Sequence, residues 1–506
     1  MRFPARLARL TAPLAAVAVL AACGGAELGG GGAGRPEGAE LLAAGTPVFV
    51  TLNGNVDSAQ WQAAEALIQR FPSGQDAIDS IFEEITEGGA QLETDVLPAL
   101  GPEVDIAVLD VPQDGDPSVV MLTQPTDPAK LEQLLSEADD APVWREVEGW
   151  YVVAASQQII DRALSSGEEG SLADNDAFGE AMDALPDETL ARLYLDGAAL
   201  LDAVKAGALA QGGLGELGPS PAELLGSGGQ LESAALALVA EDQGLRVEGI
   251  ARSQQDSEVE AASAELPALA PADALLYASF HGLDKGLTQF LDAVGKQTPD
   301  FDRNLGQLEM VLGVSLEDDL MPIFAGEGAL YVRAGAPIPE VTLVLSPDDP
   351  GQAAATLDKL VAAASLFGPG SEGGEPPFTV SDTTIAGLAA KRLQINDQLS
   401  VYYARVDDHL VVTTAVKGIA DLVEGGARLA DDPLFQEAAE TAGMPDETLG
   451  FVYVNLERAV GFAETLGMLA DQKPEVAANL EPLRYLLVDA TGDGSEAQFS
   501  GFLGIG

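Results

Sequence analysis

Few residues of this chain can carry covalent or acid–base chemistry. It has one cysteine, Cys23, and two histidines, His281 and His409, in 506 residues. Nucleophilic catalysis needs a Ser or Cys beside a base, and zinc needs clustered His and Cys; no such cluster occurs in the sequence. Calcium needs alternating oxygen ligands in one loop. The acidic clusters Asp114-Gly115-Asp116, Glu317-Asp318-Asp319, Asp348-Asp349 and Asp431-Asp432 do not have that spacing and read as caps and turns. Gly213-Leu214-Gly215-Glu216-Leu217-Gly218 matches the dinucleotide fingerprint by letter. It follows a helical run inside a Gly-rich loop instead of a strand, so the match reads as coincidence. A distant carboxylate pair for glycoside hydrolysis is compatible with the sequence, although aromatics make up only 5% of it. These residues point to no catalytic site, no metal and no cofactor.

The remaining reactive group is the Cys23 thiol. Arg2, Arg6 and Arg9 precede an apolar run from Leu10 to Leu20, and the chain then reads Leu20-Ala21-Ala22-Cys23-Gly24-Gly25. A basic start, a short apolar stretch and small residues make a secretory signal. The stretch is too short to span a bilayer. The cut site resembles the lipobox of bacterial lipoproteins. That resemblance implies that residues 1–22 are a signal peptide, removed before Cys23, and that Cys23 carries lipid through a thioether. The alternative is an ordinary secretory signal that leaves a free thiol. On the lipobox reading the protein is extracytoplasmic and held at a bacterial cell membrane by acyl chains, each contributing ~0.8 kcal/mol per buried CH₂. Residues 23–45, with nine glycines, read as a tether reaching roughly 25 Å.

The formal net charge is −56. Such a surface repels phosphate backbones and anionic head groups alike, so no nucleic-acid partner is expected and lipid must supply the anchor. The hydrophobic fraction of 47% is ample for folded cores. The length exceeds what one core normally serves, and with one cysteine no intramolecular disulfide can form.

The chain then repeats itself. Pro186-Asp187-Glu188-Thr189-Leu190 matches Pro445-Asp446-Glu447-Thr448-Leu449, with Tyr194 and Tyr453 following at the same distance. Thr126-Asp127-Pro128 falls on Asp348-Asp349-Pro350, Glu103 on Glu327, and Val147 to Val153 on Val406 to Val412. The copies are far longer than a solenoid unit. Residues 46–252 and 271–506 therefore read as two homologous tandem domains joined by a linker, 253–270. In each copy, adjacent strands lead through Asp-Pro caps into a helix. A hairpin, two short helices, a strand and a closing hairpin follow; for the second copy that hairpin is Leu486–Ala490 with Glu496–Leu503. Tight turns make the strands antiparallel. The fold class expected is α+β, an antiparallel sheet packed by helices in each copy. Gly207–Gly229 and Gly368–Pro377 read as long loops. His409 occupies the place of Trp150, and His281 that of Asn53. Neither histidine recurs between copies, as a duplicated site would require, so both read as structural.

Pro271-Ala272-Asp273 before Leu276-Tyr277-Ala278-Ser279, then Leu316-Glu317-Asp318-Asp319-Leu320-Met321-Pro322 before Gly326-Glu327, a strand-Asp-Pro-helix unit and the Val411-Val412 hairpin together resemble the bacterial envelope family called domain of unknown function 3352. The resemblance runs over residues 46–506 and implies the architecture and an envelope location, but no activity.

The expected role is therefore non-enzymatic: an envelope interaction or scaffold protein. Two other roles fit the same residues. One is a carrier for an apolar or lipid ligand, held between helix and sheet layers and lined by runs such as Leu360–Phe367. The other is a hydrolase with dispersed carboxylates. A flat exposed apolar patch would favour the scaffold, a pocket common to both copies the carrier, and carboxylates of perturbed pKa in a cleft the hydrolase.

Overall fold

The computed structural model describes residues 35–76, 92–110, 117–138, 142–164, 170–199, 231–254, 256–297, 301–336, 338–367, 378–396, 398–468 and 474–506. Signal residues 1–22, Cys23, Asp114–Asp116, the Gly213–Gly218 run and the loop centred on 368–377 lie outside them. The chain forms two compact units. The first holds residues 1–255, 472–483 and 495–506, and the second 256–471 and 484–494. The fold is α+β, and all the described strand pairings are antiparallel.

The first unit contains β1 (Val48–Asn53), β2 (Glu103–Asp110), β3 (Ser118–Thr123), β4 (Val143–Val147), β5 (Trp150–Ala154), β6 (Ala191–Asp196), β7 (Leu231–Glu241) and β8 (Gly244–Ser253). Their order across the sheet is β4-β5-β3-β2-β1-β6-β7-β8. The second unit contains β9 (Ala274–Phe280), β10 (Gly328–Arg333), β11 (Glu340–Leu345), β12 (Thr379–Ile385), β13 (Leu388–Gln394), β14 (Ser400–Val406), β15 (His409–Thr413), β16 (Gly450–Asn455) and β17 (Leu483–Asp493). Their order is β12-β13-β14-β15-β11-β10-β9-β16-β17. From β14 to β17 this repeats the order of β4 to β7 strand for strand. The hairpin β12–β13, turning at Ala386-Gly387 with φ of 49° and 84°, is added at the far edge.

The last strand, β18 (Glu496–Ile505), departs from the expected boundaries. It pairs along its length with β8, from Glu496↔Arg252 to Gly504↔Gly244. Residues 271–506 therefore do not make one compact unit, because the chain returns to finish the first sheet. β8 offers an open edge that Phe499 fits closely: a Cβ on Gly249 would lie 2.0 Å from its ring.

The Asp-Pro helix starts behave as their chemistry requires. Asp127 accepts a hydrogen bond from the Ala129 N–H at the head of helix Pro128–Glu137. Asp349 accepts from the Gly351 and Gln352 N–H groups, at 2.9 Å each, ahead of helix Pro350–Phe367. Both hairpins that follow turn with a non-glycine residue in the left-handed region, Glu148 at φ 53° and Asp407 at φ 51°.

The outer part of the expected tether and of the linker is packed structure. Glu37–Leu41 is a 3-10 turn, and Ala39 and Leu42 are fully buried. Leu266–Ala268 is a second 3-10 turn with Leu266 buried. Apolar residues among the glycines, Ala39 and Leu42 above all, give this strap a face to bury. The strap is locked to the short helical turns that follow each first hairpin: Leu172 N–H donates to Leu42 O at 2.8 Å, and Leu429 N–H to Ala270 O at 2.9 Å.

Candidate functional site

Each sheet has one sealed face. In the second unit, Leu487, Tyr453, Tyr277, Tyr331, Thr342 and Thr413 form one row across β17, β16, β9, β10, β11 and β15. All are 1% exposed or less. In the first unit the row is Ala235, Tyr194, Phe49, Ala107 and Val120, all fully buried. Edge-to-face aromatic contacts secure both rows: Phe178 with Tyr194 at 5.0 Å and 81°, and Phe435 with Tyr453 at 5.1 Å and 77°. Burial pushes the Tyr194, Tyr277 and Tyr453 hydroxyls well above the ordinary phenol range. They are therefore unsuited to acid–base work at neutral pH.

The opposite face is the candidate site. In the second unit, Val488, Val452, Ala278, Leu330 and Leu343 form one row, and Leu486, Val454, Leu276, Val332 and Val341 the next. Every side chain in both rows is apolar, yet none is buried; Val452 is 38% exposed and its partner Val488 36%. An antiparallel sheet with one solvated face normally alternates apolar and polar residues. Here both faces are apolar, which is the pattern of a sheet that expects cover. Among the described residues, buried cover lies at one end, where Phe280, Leu343 and Leu345 pack with Ile323, Ala353 and Leu357 from the segments beside β10 and β11. The first unit repeats the pattern, with Leu236, Leu193, Val50 and Ile106 in one row and Ala234, Leu195, Val48, Val108 and Val119 in the next. All are only half-buried. Helices Leu283–Gln297 and Phe301–Leu312, which leave Met310 83% exposed, add apolar surface to the second unit.

The titratable groups sit elsewhere. His409 begins β15 opposite Val406, as Trp150 begins β5 opposite Val147. Its Nδ1 lies 3.0 Å from Ser346 Oγ. His281 leaves β9 with its N–H on Leu449 O at 2.9 Å, as the Asn53 N–H bonds Leu190 O at 3.0 Å; burial pushes its ring pKa down. The acidic runs behave as caps: Asp319 accepts from Ser315 N–H, Asp432 from Leu434 and Phe435 N–H. Among the described residues, no group of three or more His, Cys, Asp and Glu could hold a metal ion, and no helix is long and apolar enough to cross a membrane. Among the buried titratable residues that the sequence did not reveal are Asp105 and Arg333. Asp105 is fully buried beside Glu103. Arg333 is 2% exposed and ion-paired to Asp421, Glu340 and Asp273.

If His409 only packs, His409→Trp, which installs the first unit's residue, should cost the Ser346 hydrogen bond and little else, about 1 kcal/mol. Urea unfolding followed through the second unit's strands reads this. A cost above ~3 kcal/mol would give His409 a larger part than packing.

What the fold and this face define is an α+β protein of two antiparallel-sheet units, each sealed on one side and apolar on the other. The profile of one family, Protein of unknown function (DUF3352), matches residues 145–503, and the chain belongs to that family. The match is shorter than the 46–506 that the motifs suggested. No curated protein matches. Solved structures similar to the chain include crystal forms I and III of TP0453. They show 14% and 12% identity, cover 46% and 47% of this chain and 74% and 79% of that one, and have TM-scores of 0.22 and 0.24.

Proposed function

We propose that this is a non-enzymatic envelope protein, held outside the cytoplasm by acyl chains on Cys23, that binds an apolar surface of a partner protein through its uncovered sheet face. The observation that supports it most is the pair of apolar rows around Val452 and Val488. A contiguous apolar patch left uncovered is the ordinary signature of a docking surface. The buried carboxylates do not suggest a hydrolase, because Asp105 has no exposure through which a substrate could reach it. We also propose that the units arose by duplication; the shared strand order and the matched Glu103 and Glu327 support that. The recurrence of the apolar face in both units favours one second reading, a carrier for an apolar ligand.

One experiment separates these readings. A photoreactive residue is placed at Val452 in membrane-anchored protein, with and without Val488→Asp. The docking reading expects a discrete protein adduct that Val488→Asp reduces at least tenfold. A lipid adduct transfers the face to the carrier reading. Absence of any adduct removes the face from function. Cys23→Ala run in parallel should move the protein from the detergent phase to the aqueous phase with its fold intact. Retention in the detergent phase would end the lipid-anchor reading.

A further inference from the structure

The first strap ends on a buried acid. The Gly38 N–H donates to Glu103 Oε1 at 3.1 Å, and the Gly38 Cα is pressed onto the next inward-facing residue of β2, Asp105. A Cβ on Gly38 would lie 1.9 Å from Asp105 Oδ2 and 3.3 Å from the Trp150 ring. Asp105 has no solvent exposure; neither of its carboxyl oxygens makes a hydrogen bond of good geometry, although the Glu103 and Thr51 side chains and the Gly38 backbone lie close to it. The second unit latches its own strap in the same way: Glu327 accepts from the Glu265 N–H at 2.8 Å and the Leu266 N–H at 3.1 Å. There, however, the position matching Asp105 by register is Ala329, also buried. The latch therefore needs the glutamate but not the aspartate. A fully buried carboxyl that the matching latch does without is a costly group and needs a role of its own.

We propose that Asp105 makes docking of the strap Arg35–Gly45 pH-dependent, so that the strap is held while Asp105 carries a proton and loosens when it ionises. The groups around Asp105 include Glu103 on its own strand, Thr51 on β1 and the Gly38 backbone; the Trp150 ring abuts Gly38. Arg192 on β6 lies in the same row beyond Thr51. Its guanidinium is turned to the carbonyls of Pro186 and Asp187, at 2.6 and 2.8 Å. Burial, and then the adjacent Glu103 carboxylate, push the Asp105 pKa well above the ordinary range. The sign follows. With the strap docked Asp105 binds its proton more tightly, so docking is complete below the ordinary carboxylate range. It weakens as pH rises towards the raised value, then levels off. Arg35, which pairs with Asp183 at 2.6 Å at the head of the strap, works in the opposite sense. It lowers the Asp183 pKa, and its contribution is lost as pH falls. Both partners are about half exposed, so this contribution is small.

The test is hydrogen exchange of peptides spanning residues 35–46 in the full chain between pH 5 and 9, corrected for intrinsic exchange. In the window between the two pKa values, the opened fraction should rise about tenfold per pH unit, one proton being linked to docking. Asp105→Asn and Asp105→Ala, the latter copying Ala329, should flatten that slope whatever they do to overall stability. A pH-independent opened fraction in the unaltered chain overturns the proposal even if both variants fail to fold. A slope retained in a folded variant overturns it as well.

Discussion

Deleting residues 495–506 is expected to unfold the first unit while the second unit's strands β9 to β11 stay protected. β18 fills the β8 edge, and its inward side chains are deeply set. Phe502 is fully buried, with the Arg246 guanidinium 5.0 Å from its ring centroid. Ile505 is buried in the cluster of Trp61, Leu67 and Leu190, and its carbonyl accepts from Arg70 at 2.5 Å. Losing a buried Phe and a buried Ile costs on the order of 5–10 kcal/mol together. That rivals the whole stability of an ordinary domain, about 5–15 kcal/mol, before the exposed β8 edge is counted. Hydrogen exchange of the truncated protein should show protection lost across β1 to β8. If β16 and β17 lost protection while β1 to β8 kept it, the tail would belong with the second unit, as chain order alone suggests.

That tail marks the limit of what can be read from the chain. Alternation of apolar and polar residues identified β18 as a strand, and the tight turn at Asp493-Gly494 suggested a hairpin with β17. Periodicity does not say which further strand such a segment pairs with, here β8, because that partner is set by complementarity across hundreds of residues. The Gly249–Phe499 fit is of that kind. Segments with strong local chemistry were legible: the Asp-Pro caps, the turns at Glu148 and Asp407, and the matched Tyr194 and Tyr453. Residues 35–45 were not, since glycine-rich composition masks two buried apolar residues.

The candidate site hid for a related reason. Leu275-Leu276-Tyr277-Ala278 is one apolar run, which identifies a strand but cannot assign its faces when both are apolar. Only the burial contrast between Tyr277 and its neighbours Leu276 and Ala278 separates the sealed face from the open one. Asp105 left a clearer trace. It falls in phase with Ala107, an inward position of β2, where an acid is out of place. That conflict of local and global preference is where a functional residue is to be expected.

Arg333→Leu should cost the second unit about 3 kcal/mol, although leucine is the residue the first unit places at the matching position, Leu109. Arg333 ends β10 and is all but sealed. It donates to Asp421 at 2.6 Å and Glu340 at 2.8 Å and reaches Asp273 at 3.4 Å. Burial alone would lower its pKa, but Asp421, Asp273 and Glu340 outweigh that and raise it. Removing one partner of a buried ion pair leaves the others uncompensated, typically at ~3–5 kcal/mol. Side-chain exposures of 28% for Asp421 and 22% for Glu340 let water relieve part of that, which sets the lower end. Lys417, within 3.6 Å of Asp273 and 3.8 Å of Asp421, offers a second partner to those two but not to Glu340. The charge left most exposed to the loss is then Glu340, so adding Glu340→Leu should recover more than half the cost, because an apolar replacement of the whole pair removes the unpaired charge as well. Adding Asp273→Leu should recover little, since Asp273 is 60% exposed and already hydrated. Denaturant midpoints of these three variants, read from exchange in β10 and β11, decide the matter. If Arg333→Leu cost under ~1 kcal/mol, or the Asp273 double variant recovered more than the Glu340 one, the network would be a surface feature and not part of what holds the ends of β10 and β11 together.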